Sequence, residues 1–377
     1  MKFIISGGNL LSLVSIVTKA VVSKPVVQIL DCIRFEVRDS MLTLTGSDTA
    51  TILHARAPLE GAPEGDGDFV VPAKMLSEAL RGLSAEMLSF DTDCEKYATV
   101  TWSQGQVRFP AMSTVGWPED TGMGPDTIMI RTSATKIRTA VSLVDYATEK
   151  SDIRPSLQGL HFDFLGDRLS VVATDSHKLA IADVSRVESQ RAVAVTLPKR
   201  SAGVLKQLLD GEDDVTIEVG DKYASFSFRR RDVRLFARLI AESYPAYRTV
   251  IPSSPVSTAR FERSRLLDAW ARIDSCTPES RRMCIAFSQG EAELSAQDLL
   301  TGASGDETVP CVFDGDPMRI AFNSTFLSEI LQNLPTGSVS FALTDSSRPV
   351  VIRPLDDDDA DVRVTCILVP MILDDDY

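Results

Sequence analysis

One pattern is written three times along this 377-residue chain, and it limits the fold more than any other feature. Its first landmark is an Asp that ends an alternating apolar run, at 42–48, 169–175 and 292–298. Its second is a strand-like run that enters a helix-like run through a turn residue: Pro72, Pro198 and Asn323. The helices expected after those turns cover 74–83, 199–209 and 324–334. The third landmark is a helical stretch near the start of each unit, at 9–20, 133–146 and 263–274. Asp48, Asp175 and Asp298 stand 127 and 123 positions apart. The apolar positions leading up to each Asp correspond as well, at a constant offset of 127 between the first two units and with the same alternation in the third. Leu30, Ile33, Phe35 and Leu42 are answered by Leu157, Leu160, Phe162 and Leu169, and then by Met283, Ile285, Phe287 and Leu294. Alternation with period two predicts strands with one buried face.

A period near 125 is too long for a solenoid repeat and is the size of a whole domain. The expected fold class is therefore α+β: three tandem copies of one domain, each with two helices on antiparallel sheets. Gly- and Pro-rich connectors at 116–126 and 252–258 place the boundaries at 1–122, 127–252 and 254–377. Copies joined tail to head make successive heterologous contacts, which trace an arc and can close into a ring.

Composition excludes more than it assigns. With 44% hydrophobic and 24% charged residues, the chain is an ordinary globular protein, not a disordered or fibrous one. Six scattered cysteines, without CxxC spacing, predict reduced thiols rather than staples or a zinc site. The uncharged run 3–18 imitates a signal peptide, but Ser6-Gly7-Gly8-Asn9 interrupts it, so a short strand and a capped helix are expected. The apolar runs are too short for a membrane span, and the expected location is cytoplasmic. Phosphate-loop, zincin and nucleophile-elbow motifs do not occur. Asp175 and His177 could form a metal site or a base with its orienting partner, but Asp48 and Asp298 occupy equivalent positions without a histidine. A turn-holding role for the Asp is therefore expected. The acidic runs 356–359 and 374–376 read as solvated loop and tail.

The net charge of −14 speaks against a uniformly basic surface. Its distribution is uneven. The stretches 10–24, 72–83, 132–150, 198–210, 260–274 and 323–334 together carry +6, which leaves −20 elsewhere. Mildly basic helices facing inward and an acidic exterior are the expected arrangement.

Several motifs together resemble one family. They are Met1-Lys2-Phe3, Lys24-Pro25, the run 173–180 with Thr174-Asp175-Ser176-His177-Lys178, Tyr244-Pro245-Ala246-Tyr247-Arg248, Arg348-Pro349-Val350, and Val369-Pro370-Met371. The chain is similar over its whole length to the bacterial DNA polymerase III β subunit, the sliding clamp. The resemblance implies a head-to-tail homodimeric ring around double-stranded DNA, bound without regard to sequence. It implies a processivity factor, with no catalytic residue, cofactor or metal. By resemblance, Lys24, Lys74, Arg81, Lys136, Arg138, Lys150, Arg154, Lys199, Arg200 and Lys206 are expected near DNA. A peptide pocket is expected at Leu157, Thr174, Ser176, His177, Lys178, Leu179, Pro245, Val250, Pro349, Leu368, Val369, Pro370, Met371 and Leu373. Its implied guests are short linear motifs of the replicative polymerase α subunit, the clamp-loader δ subunit, translesion polymerases, ligase and mismatch-repair proteins. Phe109, Ser275 and Cys276 are the expected dimer contacts, joining the first and third domains. Two other readings compete: a metal-dependent hydrolase built on Asp175 and His177, and a scaffold that recruits peptides without DNA.

Overall fold

In the computed structural model, residues 1–23, 25, 27–118, 122–151, 153–211, 214–277, 279–298, 300–355 and 360–372 are described. The chain forms two compact units, 1–135 with 200–239, and 136–199 with 240–377. The middle repeat contributes to both.

The first unit contains a small antiparallel sheet of strands Lys2–Ser6, Met87–Thr92, Tyr97–Trp102 and Gly105–Pro110, in that order. Its large sheet runs Ile128–Ser133, Asp214–Val219, Tyr223–Phe228, Val233–Arg238, Thr51–Pro58, Met41–Ser47, Cys32–Arg38 and Gly67–Pro72. Helix α1 (Gly7–Val17) lies on this sheet, and α2 (Ala73–Ala79) follows the strand ending at Pro72. Leu10, Leu13, Val14, Ile16 and Val17 bury the inner stripe of α1. Ser6 caps it by accepting from the Asn9 N–H at 3.2 Å.

Gly7 and Gly8 do not interrupt this segment, as the sequence suggested, but open α1. The reason is steric: a Cβ on Gly7 would sit 1.9 Å from the Leu83 carbonyl oxygen, so only glycine admits the helix start here. α2 is shorter than expected. It stops at Ala79, ahead of Gly82 at φ +79°.

The second unit has a large sheet of Val193–Pro198, Gly159–Phe164, Arg168–Thr174, Lys178–Ser185, Val362–Leu368, Val350–Pro354, Ser338–Leu343, Ser257–Glu262 and Val312–Asp314. A small sheet orders Ser304–Pro310, Glu291–Gln297, Arg282–Ser288 and Met318–Asn323. The remaining helices are α3 (Ala134–Val144), α4 (Lys199–Leu208), α5 (Arg263–Asp274) and α6 (Ser324–Asn333). From Arg200 onward α4 belongs to the first unit, and from Lys136 onward α3 belongs to the second. Asn323 caps α6, accepting from the N–H groups of Thr325 and Phe326.

All twelve corresponding apolar positions, from Leu30 to Leu294, are buried. The recurring Asp does the same job in each repeat. One oxygen of Asp48 accepts from Ala50 and Thr51, one of Asp175 from His177 and Lys178, and one of Asp298 from Leu300 and Thr301. Each clamps the turn after its strand.

The large sheets cross the junctions between repeats. Val233–Arg238 of the second repeat pairs antiparallel with Thr51–Pro58 of the first, with Leu235 opposite Leu53. Lys178–Ser185 of the second pairs with Val362–Leu368 of the third, with Ile181 opposite Thr365. Adjacent repeats are thus welded edge to edge, and compactness does not divide the chain at repeat boundaries.

Candidate functional site

The cations expected near DNA fall into two groups. Lys74, Arg81 and Lys199 are exposed, with no ion-pair partner among the described residues. Others are already neutralised. Lys136 is mostly buried, with Nζ 3.0 Å from Asp361 and donating to the Ser185 carbonyl at 3.3 Å. That contact holds the Asp361 carboxyl below its ordinary range. Arg200 lies 2.8 Å from Asp48, and Lys150 lies 3.1 Å from Glu329. Arg154 donates to the Ser176 hydroxyl, which places it at the expected peptide site. Arg138 is exposed and Lys206 half-buried. Lys24 lies outside the described residues. Lys19 was not singled out in the sequence, yet it donates to Gln207 of α4 at 2.8 Å.

The expected peptide site is assembled by one sheet seam. Lys178 stands opposite Leu368, so the 175–178 turn lies beside the end of the last strand. The His177 carbonyl accepts from Val369 N–H at 2.9 Å, and Met371 N–H donates to the Ala321 carbonyl at 2.8 Å. Pro349 precedes Val350, which is also opposite Leu368. Beneath lies a cluster of Val172, Leu179, Ile181, Tyr247 and Ile367, with Tyr244 and Ile251 packed against it. Tyr247 donates to Asp163 at 2.7 Å, and Arg248 lies 3.5 Å from the same carboxylate.

Ser176, His177, Pro245, Val250 and Val369 are exposed, while Thr174, Pro349, Pro370 and Met371 are half-buried. Together they give an apolar surface with a few polar groups, suited to aliphatic and aromatic anchors. Leu157, Leu179 and Leu368 are buried and support this surface from below. Leu373 lies outside the described residues, as do the acidic runs.

Lys178, expected in the pocket, does not reach the surface. Its side chain is 2% exposed, paired to Asp175 and 3.0 Å from Glu329, with its ammonium 4.4 Å from the Phe326 ring centre. The His177 ring stacks on Phe326 at 5.5 Å. Phe326 and Glu329 were missed from sequence; their only signal is the i, i+3 spacing that puts them on one face of α6. With both Asp175 oxygens engaged and His177 stacked, the pair is a structural turn. Among the described residues, no group of three or more His, Cys, Asp or Glu side chains is placed to hold a metal ion. No helix among them is long and apolar enough to cross a membrane.

Phe109 turns its ring into its own repeat, 2% exposed, and Ser275 is exposed at the end of α5. A Cβ on Gly305, in the edge strand Ser304–Pro310, would lie 3.0 Å from Cys276 Sγ. The Phe109 ring is therefore withdrawn from the surface, while the backbone of its strand lies at a sheet edge.

The architecture is that of solved sliding clamps. A Pseudomonas aeruginosa clamp, DNA polymerase III subunit beta, bound to griselimycin superimposes with a TM-score of 0.91 at 24% identity, covering 99% of this chain and 100% of that one. The Bacillus subtilis clamp gives 0.90 at 22%, covering 99% and 100%. Curated β sliding clamps align over 99% of the chain and 100% of their own length, with 27% identity for Synechococcus elongatus and 25% for Escherichia coli K12. The N-terminal, central and C-terminal domains of the DNA polymerase III beta subunit match residues 1–118, 132–246 and 248–368. The chain belongs to the DNA polymerase III beta subunit family. Its role is that of a sliding clamp, a processivity factor of DNA replication that performs no catalysis.

Proposed function

We propose that two copies of this chain join head to tail into a closed ring of six repeats, divided at 1–122, 127–252 and 254–377, which encircles duplex DNA in the cytoplasm. The observation that carries this reading is a pattern in the seams. Thr51–Pro58 and Lys178–Ser185 are equivalent strands, offset by 127 residues, and Ser304–Pro310 follows them by a further 126. Gly105–Pro110 is likewise equivalent to Val233–Arg238 and to Val362–Leu368. Both seams within the chain pair one strand of the first kind with one of the second. One strand of each kind is left at a sheet edge: Gly105–Pro110 in the first repeat and Ser304–Pro310 in the third. An unpaired edge is a template for another strand. A second copy supplies the complement at both ends, and two such seams close the ring.

Inside the ring, Lys and Arg attract phosphates without reading bases, so the protein slides. The surface around Thr174, Ser176, His177, Pro245, Val250, Val369, Pro370 and Met371 then takes short linear motifs of the replicative polymerase, clamp loader, translesion polymerases, ligase and mismatch-repair proteins.

The test is topological. The protein is loaded by the cognate clamp loader onto nicked circular DNA, which is then linearised. A ring stays on the circle and leaves through free ends; retention on the linear form without end blocks overturns it. Native mass spectrometry is expected to give twice the 41.1 kDa of one chain.

A further inference from the structure

We infer that Glu329 of α6 is the positioning residue of the peptide site, holding the Ser176–His177 turn from the third repeat through buried Lys178. This inference rests on the reading of that surface as a peptide site.

The turn does not hold its shape by chain preference. Ser176 sits at φ +79°, which costs energy for a residue other than glycine, so its neighbours must impose it. Inside the turn, Thr174 Oγ1 accepts from Ser176 N–H and donates to the Lys178 carbonyl, and Asp175 accepts from two N–H groups. Those bonds fix the loop's form but not its location. Location comes from α6. Glu329 Oε2 lies 3.0 Å from Lys178 Nζ, and Phe326, one turn earlier on α6, receives both the Lys178 ammonium and the His177 ring.

The other Glu329 oxygen is 3.1 Å from exposed Lys150. Two lysines thus face the carboxylates of Asp175 and Glu329. The set is neutral, so Lys178 presents no net charge to a guest. Removing one partner of a buried pair leaves the other charge poorly compensated, and the structure relaxes to hydrate it. Here that relaxation carries Lys178 outward and takes the neighbouring His177 off Phe326. His177 is also the residue whose carbonyl holds Val369, so both sides of the peptide surface shift.

The experiment uses the full chain with Glu329→Gln, which is isosteric and removes the charge. One readout is anisotropy of a labelled peptide carrying the clamp-binding motif of the cognate replicative polymerase. The other is the His177 imidazole proton resonance, displaced by the Phe326 ring in the parent and identifiable among only three histidines. The expected result is a rise in Kd of about tenfold, equivalent to about 1.4 kcal/mol, together with a shift of the His177 signal toward its free value. A general loss of stability in a protein that is still folded would not move that signal. An unchanged Kd, or a raised Kd with the His177 resonance unmoved, overturns the inference. Should the Gln variant fail to fold, Glu329→Asp keeps the charge but withdraws it by one methylene. It is expected to show both changes in smaller measure, and parent values for it refute the inference. Met371→Ala separates the two levels of the reading. If it weakens the peptide while Glu329→Gln does not, positioning alone fails; if neither does, the peptide site itself is wrong.

Discussion

Acid should weaken the floor of the proposed peptide site through a single histidine. His161 stands opposite Val172 in the sheet beneath the site, with its ring stacked on Tyr244 at 4.3 Å and 7° and edge-on to Tyr247. Nδ1 lies 3.0 Å from the Thr196 hydroxyl. Burial pushes its pKa from 6.5 down to about 4, against a weaker upward pull from the Asp163 carboxylate. The folded state therefore stays unprotonated where the unfolded chain already takes a proton. The stability this group contributes is complete above the unfolded value and is lost as pH falls from about 6.5 to about 4. At about 1.4 kcal/mol per unit, the loss is about 3 kcal/mol. His161→Asn keeps a polar partner for Thr196 and removes the titration. Urea denaturation of parent and variant between pH 7 and pH 4 should show the gap between them closing by about that amount. Imidazole NMR of the parent should show His161 failing to titrate where an ordinary histidine does. A His161 midpoint near 6.5, or a gap that stays constant across the window, refutes the reasoning.

Two further outcomes follow from geometry. Replacing Lys74, Arg81 or Lys199 by Ala should lower the slope of log affinity against log salt for duplex DNA by about 0.9 each. Lys136→Met and Arg200→Met should change it much less, because those cations are spent on Asp361 and Asp48; equal effects in a DNA titration at several salt concentrations would remove the distinction. Gly46→Ala should lower the thermal midpoint by several degrees, a cost of about 1–3 kcal/mol, because its Cβ would stand 2.2 Å from the Val17 carbonyl of α1. An unchanged melting curve would contradict that packing.

The repeat was readable because it is local. An Asp that clamps the next turn, a strand with alternating burial and a helix after Pro72, Pro198 or Asn323 all act within about ten residues, where sequence spacing maps onto space. The role of Gly7 was not readable by the same logic, since the atom that demands glycine there belongs to Leu83, far along the chain. The proposed peptide site was only half readable. Its turn and its final strand carry recognisable motifs, but the strand pairing that joins Lys178 to Leu368 spans half the chain. Phe326 and Glu329 lie in a helix that looks like any other amphipathic segment, and their i, i+3 spacing does not distinguish them from other pairs on its faces.

Charge shows most clearly what pairing adds to pattern. Counting by segment placed +6 on the helical stretches and treated each cation as available. The fold removes several of them from that pool: Lys136 to Asp361, Arg200 to Asp48, and Lys150 to Glu329. Each of these pairs also ties one segment to another, so the charge goes into holding repeats and turns in place. What remains exposed and without an ion pair among the described residues is a small set that includes Lys74 on α2, Arg81 in the turn after it and Lys199 at the start of α4. A sliding protein needs that economy. The salt-dependent attraction grows with every free cation, and a ring that kept all of its basic residues unpaired would hold DNA too firmly to move along it.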